Sequence, residues 1–304
     1  MPCPVVFANP GYEALAAALC QQLGCEGGEV ERRTFPDGER YQRIVSEVEG
    51  REVVVVGGTV DDAATLSLYD LASAAVMYGA RRLSLVVPYF GYATMERAVA
   101  PGEVVVAKTR ARLLSHIPRA AAGNRVLLLD LHSEGIPHYF EGGTAAFHVY
   151  AKSVLAPVMA EAGGDGFVLG STDSGRAKWV ESLANDLGVD AAVILKRRLS
   201  GSETRVTAVS ASVEGRSVVI YDDMIRTGGS LIGAARAYLD AGARRLVAVA
   251  THGVLPGDSL ARLRATGLFE QIVVTDSHPR AVALAGDGLR VVPIAGCFVE
   301  HLAR

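Results

Sequence analysis

The chain has 304 residues, half of them hydrophobic and 21% charged, which sets aside a largely disordered protein and suggests two domains at the usual ~150 residues each. A formal net charge of −3 argues against nucleic acid as the main partner, because polyanion binders usually carry a basic excess. No apolar run approaches the roughly 18 residues that span a bilayer, and the opening MPCPVVFANP lacks a basic leader, so we expect a soluble, cytoplasmic chain with no membrane partner.

In chain order, short and continuously apolar runs predict strands at 5–8, 53–57, 83–88, 126–130, 167–170, 191–195, 218–222, 246–251 and 272–275. Continuous runs are the mark of strands covered on both faces, as in a parallel sheet. Ala- and Leu-rich stretches between them predict helices at 12–23, 66–78, 104–115, 176–187 and 230–241, several followed by a glycine (Gly24, Gly79, Gly188, Gly242). Strand and helix alternate, which implies an α/β architecture built on mainly parallel sheets. A helix ending in Gly-Ala-Arg-Arg before a strand occurs twice, at Gly79–Arg82 and Gly242–Arg245, and hints at an internal duplication. The expected domains are residues 1–145 and 146–288, with the last segment, about 289–304, returning to the first.

Cysteine chemistry contributes little: Cys3, Cys20, Cys25 and Cys297 show no CxxC spacing, so we expect reduced thiols. Lysine is more telling, because only Lys108, Lys152, Lys178 and Lys196 stand among the 30 basic residues. A lysine kept in an arginine-rich chain is a candidate for a place where a compact ammonium matters.

Ligands of open α/β sheets collect beyond the carboxyl ends of strands. The strongest such segment runs from the strand at 218–222 through Asp222 and Asp223 into Arg226-Thr227-Gly228-Gly229-Ser230 and a helix. Paired carboxylates suit sugar hydroxyls or Mg²⁺, and glycines before a helix let backbone N–H groups approach a phosphate. The combination suits a phosphorylated sugar, and no Gly-Lys-Ser/Thr of a nucleotide P-loop follows it. Lys196-Arg197-Arg198, after another strand, offers the cations that phosphoryl transfer needs for positioning and charge stabilisation. Asp130-Leu131-His132 and Ser171-Thr172-Asp173-Ser174-Gly175 also close strands. His132 and Asp173 are candidate Mg²⁺ groups, although oxygen is the preferred ligand and Asp173 also reads as a helix cap. Phe35-Pro36-Asp37-Gly38-Glu39 is a polar turn whose ring and acids could meet a base.

Together these segments, with Pro88–Ala93 and Thr251-His252-Gly253, resemble the ribose-phosphate diphosphokinases (phosphoribosyl pyrophosphate synthetases) in order and spacing over nearly the whole chain. The resemblance implies two phosphoribosyltransferase-like domains of type I and a homo-oligomer, dimer or hexamer. It implies transfer of a diphosphoryl group from ATP, with Mg²⁺, to the anomeric hydroxyl of ribose 5-phosphate. Lys196 and Arg198 fall on the family's catalytic pair, and His132 and Asp173 on its Mg²⁺-ATP positions. Asp222, Asp223 and Arg226–Ser230 fall on the ribose 5-phosphate positions, while Phe35, Asp37 and Glu39 fall on adenine contacts, often given by a neighbouring subunit. Where the family usually has Arg-Gln at the nucleotide, this chain has Thr94-Met95, with Arg97 three residues on from the Arg position. That departure opens a second reading, a catalytically weak paralogue that binds nucleotide or sugar phosphate and regulates an active partner. A phosphoribosyltransferase that consumes the diphosphate would explain the Asp222–Ser230 loop but not Lys196-Arg197-Arg198.

Overall fold

A computed structural model describes residues 3–198, 204–286 and 288–303, with the side chains of residues 195–198 and 204–208 outside the description. The chain divides into two compact units, Met1–Tyr150 with Ile294–Arg304, and Ala151–Pro293. The first contains β1 (Val5–Ala8), α1 (Glu13–Leu23), β2 (Glu26–Gly27), β3 (Val30–Thr34), β4 (Arg40–Ile44), β5 (Glu52–Val56), α2 (Asp62–Met77), β6 (Arg82–Val87), α3 (Val106–Ser115), β7 (Asn124–Leu129) and β8 (Ala145–Val149). The second contains α4 (Lys152–Gly163), β9 (Val168–Ser171), α5 (Ala177–Leu187), β10 (Asp190–Ala192), β11 (Ile194–Arg198), β12 (Thr204–Val209), β13 (Ser217–Ile225), α6 (Gly229–Asp240), β14 (Arg245–Gly253), α7 (Ser259–Ala265), β15 (Gln271–Thr275), α8 (Pro279–Ala283) and β16 (Leu289–Val292). A last helix, α9 (Ala295–Leu302), belongs to the first unit.

Each unit is built on a six-stranded sheet, in the order β2-β1-β5-β6-β7-β8 and β10-β9-β13-β14-β15-β16. Every pairing in both sheets is parallel. The apolar runs explain this: Val53 to Val56 and Val218 to Ile220 are all within 2% of full burial, as strands covered by helices on both faces must be. Helix ends obey local chemistry. Asp61 caps α2 by accepting from Ala64 N at 2.7 Å, and Gly24, at φ 61°, turns the chain out of α1.

The duplication extends to individual hydrogen bonds. Glu49-Gly50-Arg51 precedes β5, and Glu214-Gly215-Arg216 precedes β13. Gly50 N donates to Gly79 O, and Gly215 N to Gly242 O, both at 2.8 Å. Arg81 N donates to Arg51 O at 2.7 Å, and Arg244 N to Arg216 O at 2.8 Å. Each unit also carries an antiparallel hairpin outside its main sheet, β3-β4 and β11-β12.

Several elements differ from the sequence expectation. The β3-β4 hairpin is polar and exposed and so carries no apolar run. β8 is an edge strand whose residues alternate in exposure. α4 is not among the predicted helices, and Pro157 sits inside it. The segment 289–304 divides: β16 pairs with β15 in the second sheet, and the returning piece is the helix α9. Among the described residues no helix is long and apolar enough to cross a membrane.

Candidate functional site

In the second sheet β9 and β13 are neighbours, while β10 lies beyond β9 and β14 beyond β13. Strand order therefore reverses between β9 and β13, and the carboxyl ends of these two strands flank the crevice where such sheets take ligands. β9 delivers Ser171-Thr172-Asp173 to this point, and β13, in register with it at Tyr221 and Ser171, delivers Asp222 and Asp223. Thr172 Oγ1 donates to Asp222 Oδ2 at 2.9 Å, and Asp223 N donates to Asp222 Oδ1 at 2.9 Å. Arg176 forms an ion pair with Asp223 at 2.5 Å, the two side chains being 17% and 4% exposed.

These contacts make the two acids unlike. Burial first, then the charge of Asp223, raises the Asp222 carboxyl to about 7, against weaker lowering by Thr172 and Arg176. Asp223 instead pairs with the Arg176 guanidinium. On the strand before them, Tyr221 stacks on Trp179 of α5 with ring centroids 3.9 Å apart and planes at 12°. The Tyr221 hydroxyl shares a hydrogen bond of 3.0 Å with the buried Thr251 hydroxyl on β14. Ser171 is fully buried, and its hydroxyl finds no hydrogen-bond partner among the described residues.

The loop after β13 depends on Gly228. Its φ of 82° lies in the left-handed region, and a Cβ there would fall 2.6 Å from Cδ2 of Leu263, a fully buried core residue. The turn exposes Arg226, Thr227, Gly229 and Ser230 at the start of α6, where backbone N–H groups and the helix dipole favour an anion. Thr251-His252-Gly253 ends β14 behind this loop. His252 Nδ1 lies 2.8 Å from Ser277 Oγ, and Thr251 O accepts from Thr275 Oγ1 and Ser277 Oγ. His278 accepts from Arg280 N, and burial, with His252 and Arg280 nearby, lowers its imidazole to about 4.

Lys196 and Arg198 lie on β11, opposite Val206 and Thr204 of β12, with an irregularity between Leu195 and Lys196. Their side chains lie outside the described residues. Asp173 accepts from Gly175 N at 2.8 Å, as a cap at the end of β9.

The remaining candidates stand in the first unit. Phe35, Asp37 and Glu39 form the exposed tip of the β3-β4 hairpin, closed by Phe35 N to Glu39 O at 2.8 Å, and Asp37 Oδ1 accepts from Glu39 N at 3.0 Å. Thr94 and Met95 are exposed, and Arg97, 79% exposed, pairs with Glu96 at 3.6 Å. His132 is exposed after β7, beyond a strained Asp130 at φ 35°. Leu131 N in that turn donates to His148 Nε2 of β8 at 2.9 Å. Nothing local in the sequence marks Arg176 or Trp179, or Thr172 as a partner of Asp222, beyond the adjacency of Arg176 to the Asp173 turn.

The two parallel sheets flanked by helices, each with its strand order reversing beside its first strand, define a phosphoribosyltransferase-type α/β fold on a duplicated frame. Residues 5–117 match the family model described as the N-terminal domain of ribose phosphate pyrophosphokinase, and residues 171–304 the phosphoribosyl synthetase-associated domain. A ribose-phosphate pyrophosphokinase of Parasynechococcus marenigrum is 35% identical over 303 residues, covering 98% of this chain and 88% of the relative. One from Methanopyrus kandleri is 35% identical over 302 residues, covering 98% and 99%. The crystal structure of phosphoribosylpyrophosphate synthetase from Mycobacterium smegmatis superposes with a TM-score of 0.85 at 27% identity, covering 99% of this chain and 98% of that one. The chain belongs to the ribose-phosphate pyrophosphokinase family, a family of enzymes.

Proposed function

We propose that this chain is a ribose-phosphate diphosphokinase that forms phosphoribosyl pyrophosphate and AMP from ATP and ribose 5-phosphate. The observation that supports it most is the joining of Asp222-Asp223 to the Gly228 turn at the β9/β13 reversal. In this reading Asp222 and Asp223 take the ribose hydroxyls. Thr227, Gly229 and Ser230 surround the 5-phosphate with hydroxyl and backbone N–H donors, and Arg226 adds a charge-assisted contact. Held at both ends, the sugar presents its anomeric oxygen to the β-phosphorus of ATP. The anomeric oxygen bonds to the β-phosphorus and gives up its hydroxyl proton to solvent, the bond from the β-phosphorus to the oxygen of the α-phosphate breaks, and AMP leaves on that oxygen. Such a transfer asks the protein for positioning and for cations around the transferring oxygens, the role of Lys196 and Arg198.

The donor set suits Mg²⁺. The described residues gather no group of three or more His, Cys, Asp or Glu side chains that could seat an ion alone. A hard ion that keeps waters and takes phosphate oxygens needs only one or two protein ligands. Asp173 is the candidate carboxylate of the second unit and His132 the candidate nitrogen of the first, and a bound ion would neutralise phosphate charge. On the nucleotide side, the exposed tip with Phe35, Asp37 and Glu39 would reach the adenine of a neighbouring subunit in a dimer or hexamer. Thr94, Met95 and Arg97 would line the triphosphate. In this reading the enzyme acts in the cytoplasm.

The test is AMP formation by purified protein with ATP, Mg²⁺ and ribose 5-phosphate, beside Lys196→Ala. AMP that requires both the sugar and Lys196 is the expected result. No AMP with any of several nucleotides and pentose phosphates would overturn this reading in favour of a binding paralogue.

A further inference from the structure

The paired acids are not alone at the end of β13. Arg176, just before α5, reaches Asp223 at 2.5 Å, and both side chains are withdrawn from solvent, at 17% and 4% exposure. On the next turn of the chain Trp179 stacks on Tyr221, the residue before Asp222. Thr172, just before Asp173, holds Asp222. One short segment, 172–179, therefore grips three successive residues of β13, each with a different kind of contact: hydroxyl to carboxylate, guanidinium to carboxylate, ring to ring.

We propose that Arg176 is a positioning residue for the acceptor sugar, acting through Asp223 by fixing the direction in which that carboxylate meets the ribose hydroxyls. The inference rests on the sugar-phosphate reading above and adds a residue to it. A carboxylate next to a strand end has two oxygens and a rotatable bond. An ion pair with a planar guanidinium removes that freedom and fixes the direction of the carboxylate. Arg176 pairs with Asp223 while Thr172 holds Asp222, so the two acids are fixed by different partners. Preorganisation of this kind is expected in sugar affinity, whereas the phosphate turn, held by Gly228 and Leu263, is built from other residues.

The experiment measures kcat and the KM values for ribose 5-phosphate and ATP in wild type, Arg176→Met, Arg176→Lys, Asp223→Asn and the Arg176→Met/Asp223→Asn double variant, with thermal unfolding of each. Arg176→Met should raise the KM for ribose 5-phosphate about tenfold or more, the size of a lost charge-assisted contact, and leave the KM for ATP within about twofold. Arg176→Lys, which keeps the charge and loses the fork, should recover part of that loss. The double variant should be no worse than Asp223→Asn alone, because Arg176 acts through that carboxylate. Independent, multiplying losses in the double variant would overturn the proposal, as would an unchanged sugar KM in Arg176→Met. So would equal rises in both KM values, which is what a merely structural role predicts. If Arg176→Met fails to fold, the lysine variant and the comparison of Asp223→Asn with Arg176→Lys/Asp223→Asn decide by the same criterion. Absence of turnover in the wild type overturns the sugar-phosphate reading itself, and this inference with it; any of the other failures overturns this inference alone.

Discussion

Asp222 shows how a single side chain carries opposite demands. Its folded-state pKa of about 7 lies above the ordinary value, so its contribution to folding is fully present below that ordinary value and is lost as pH rises through about 7. Asp222→Asn removes the cost of the buried charge. Its unfolding temperature relative to wild type should therefore rise from pH 5 to pH 8 in the absence of ligand, while ribose 5-phosphate turnover falls. A difference that stays flat with pH, followed by calorimetry, would contradict the burial argument. The glycines of the adjoining turn make a matched pair. Gly228→Ala puts a Cβ in the left-handed region and 2.6 Å from Leu263, whereas Gly229→Ala meets nothing closer than 4.0 Å, at Thr227 Oγ1. The first should cost at least the ~1–2 kcal/mol of left-handed strain in stability and raise the sugar KM, and the second should be close to neutral in denaturant unfolding.

At the scale of elements, what the sequence made legible follows from burial. The central strands β1, β5, β6, β7, β9, β13, β14 and β15 are buried on both faces, so each is a short apolar run that needs no partner to be recognised. The β3-β4 hairpin is held by cross-strand pairing of polar residues such as Arg33 and Tyr41, and β8 by its neighbour β7, so neither carries a signal of its own. The glycine turn after β13 was legible because glycine and acids at a strand end are local chemistry. Arg176 and Trp179 were not, because their partners Asp223 and Tyr221 lie more than forty residues away and only the β9-β13 pairing joins them. α9 depends on long-range packing: its Phe298 is fully buried and its carbonyls at His301 and Leu302 accept from Arg125. Phe298→Ala should destabilise the first unit by ~3–5 kcal/mol, and a chemical-denaturation curve would show it.

For the whole molecule, the two units repeat one plan but not one site. β5 and β13 start alike, yet where β13 continues into Asp222 and Asp223, β5 continues into Gly57 and Gly58. A Cβ on Gly57 would lie 2.7 Å from Asn9 Cβ, and one on Gly58 would lie 2.0 Å from the Tyr12 hydroxyl. Asn9 and Tyr12 are 1% and 2% exposed, so the corresponding crevice of the first unit is filled by its own side chains. An equilibrium titration should accordingly find one ribose 5-phosphate per chain, and a stoichiometry of two would contradict the filled crevice.

That filled crevice also sets a rule for redesign. Acids at Gly57 and Gly58 could enter the first unit only together with smaller side chains at Asn9 and Tyr12, because a Cβ at either glycine collides with one of those two residues. A single substitution there would meet a clash before it met a ligand.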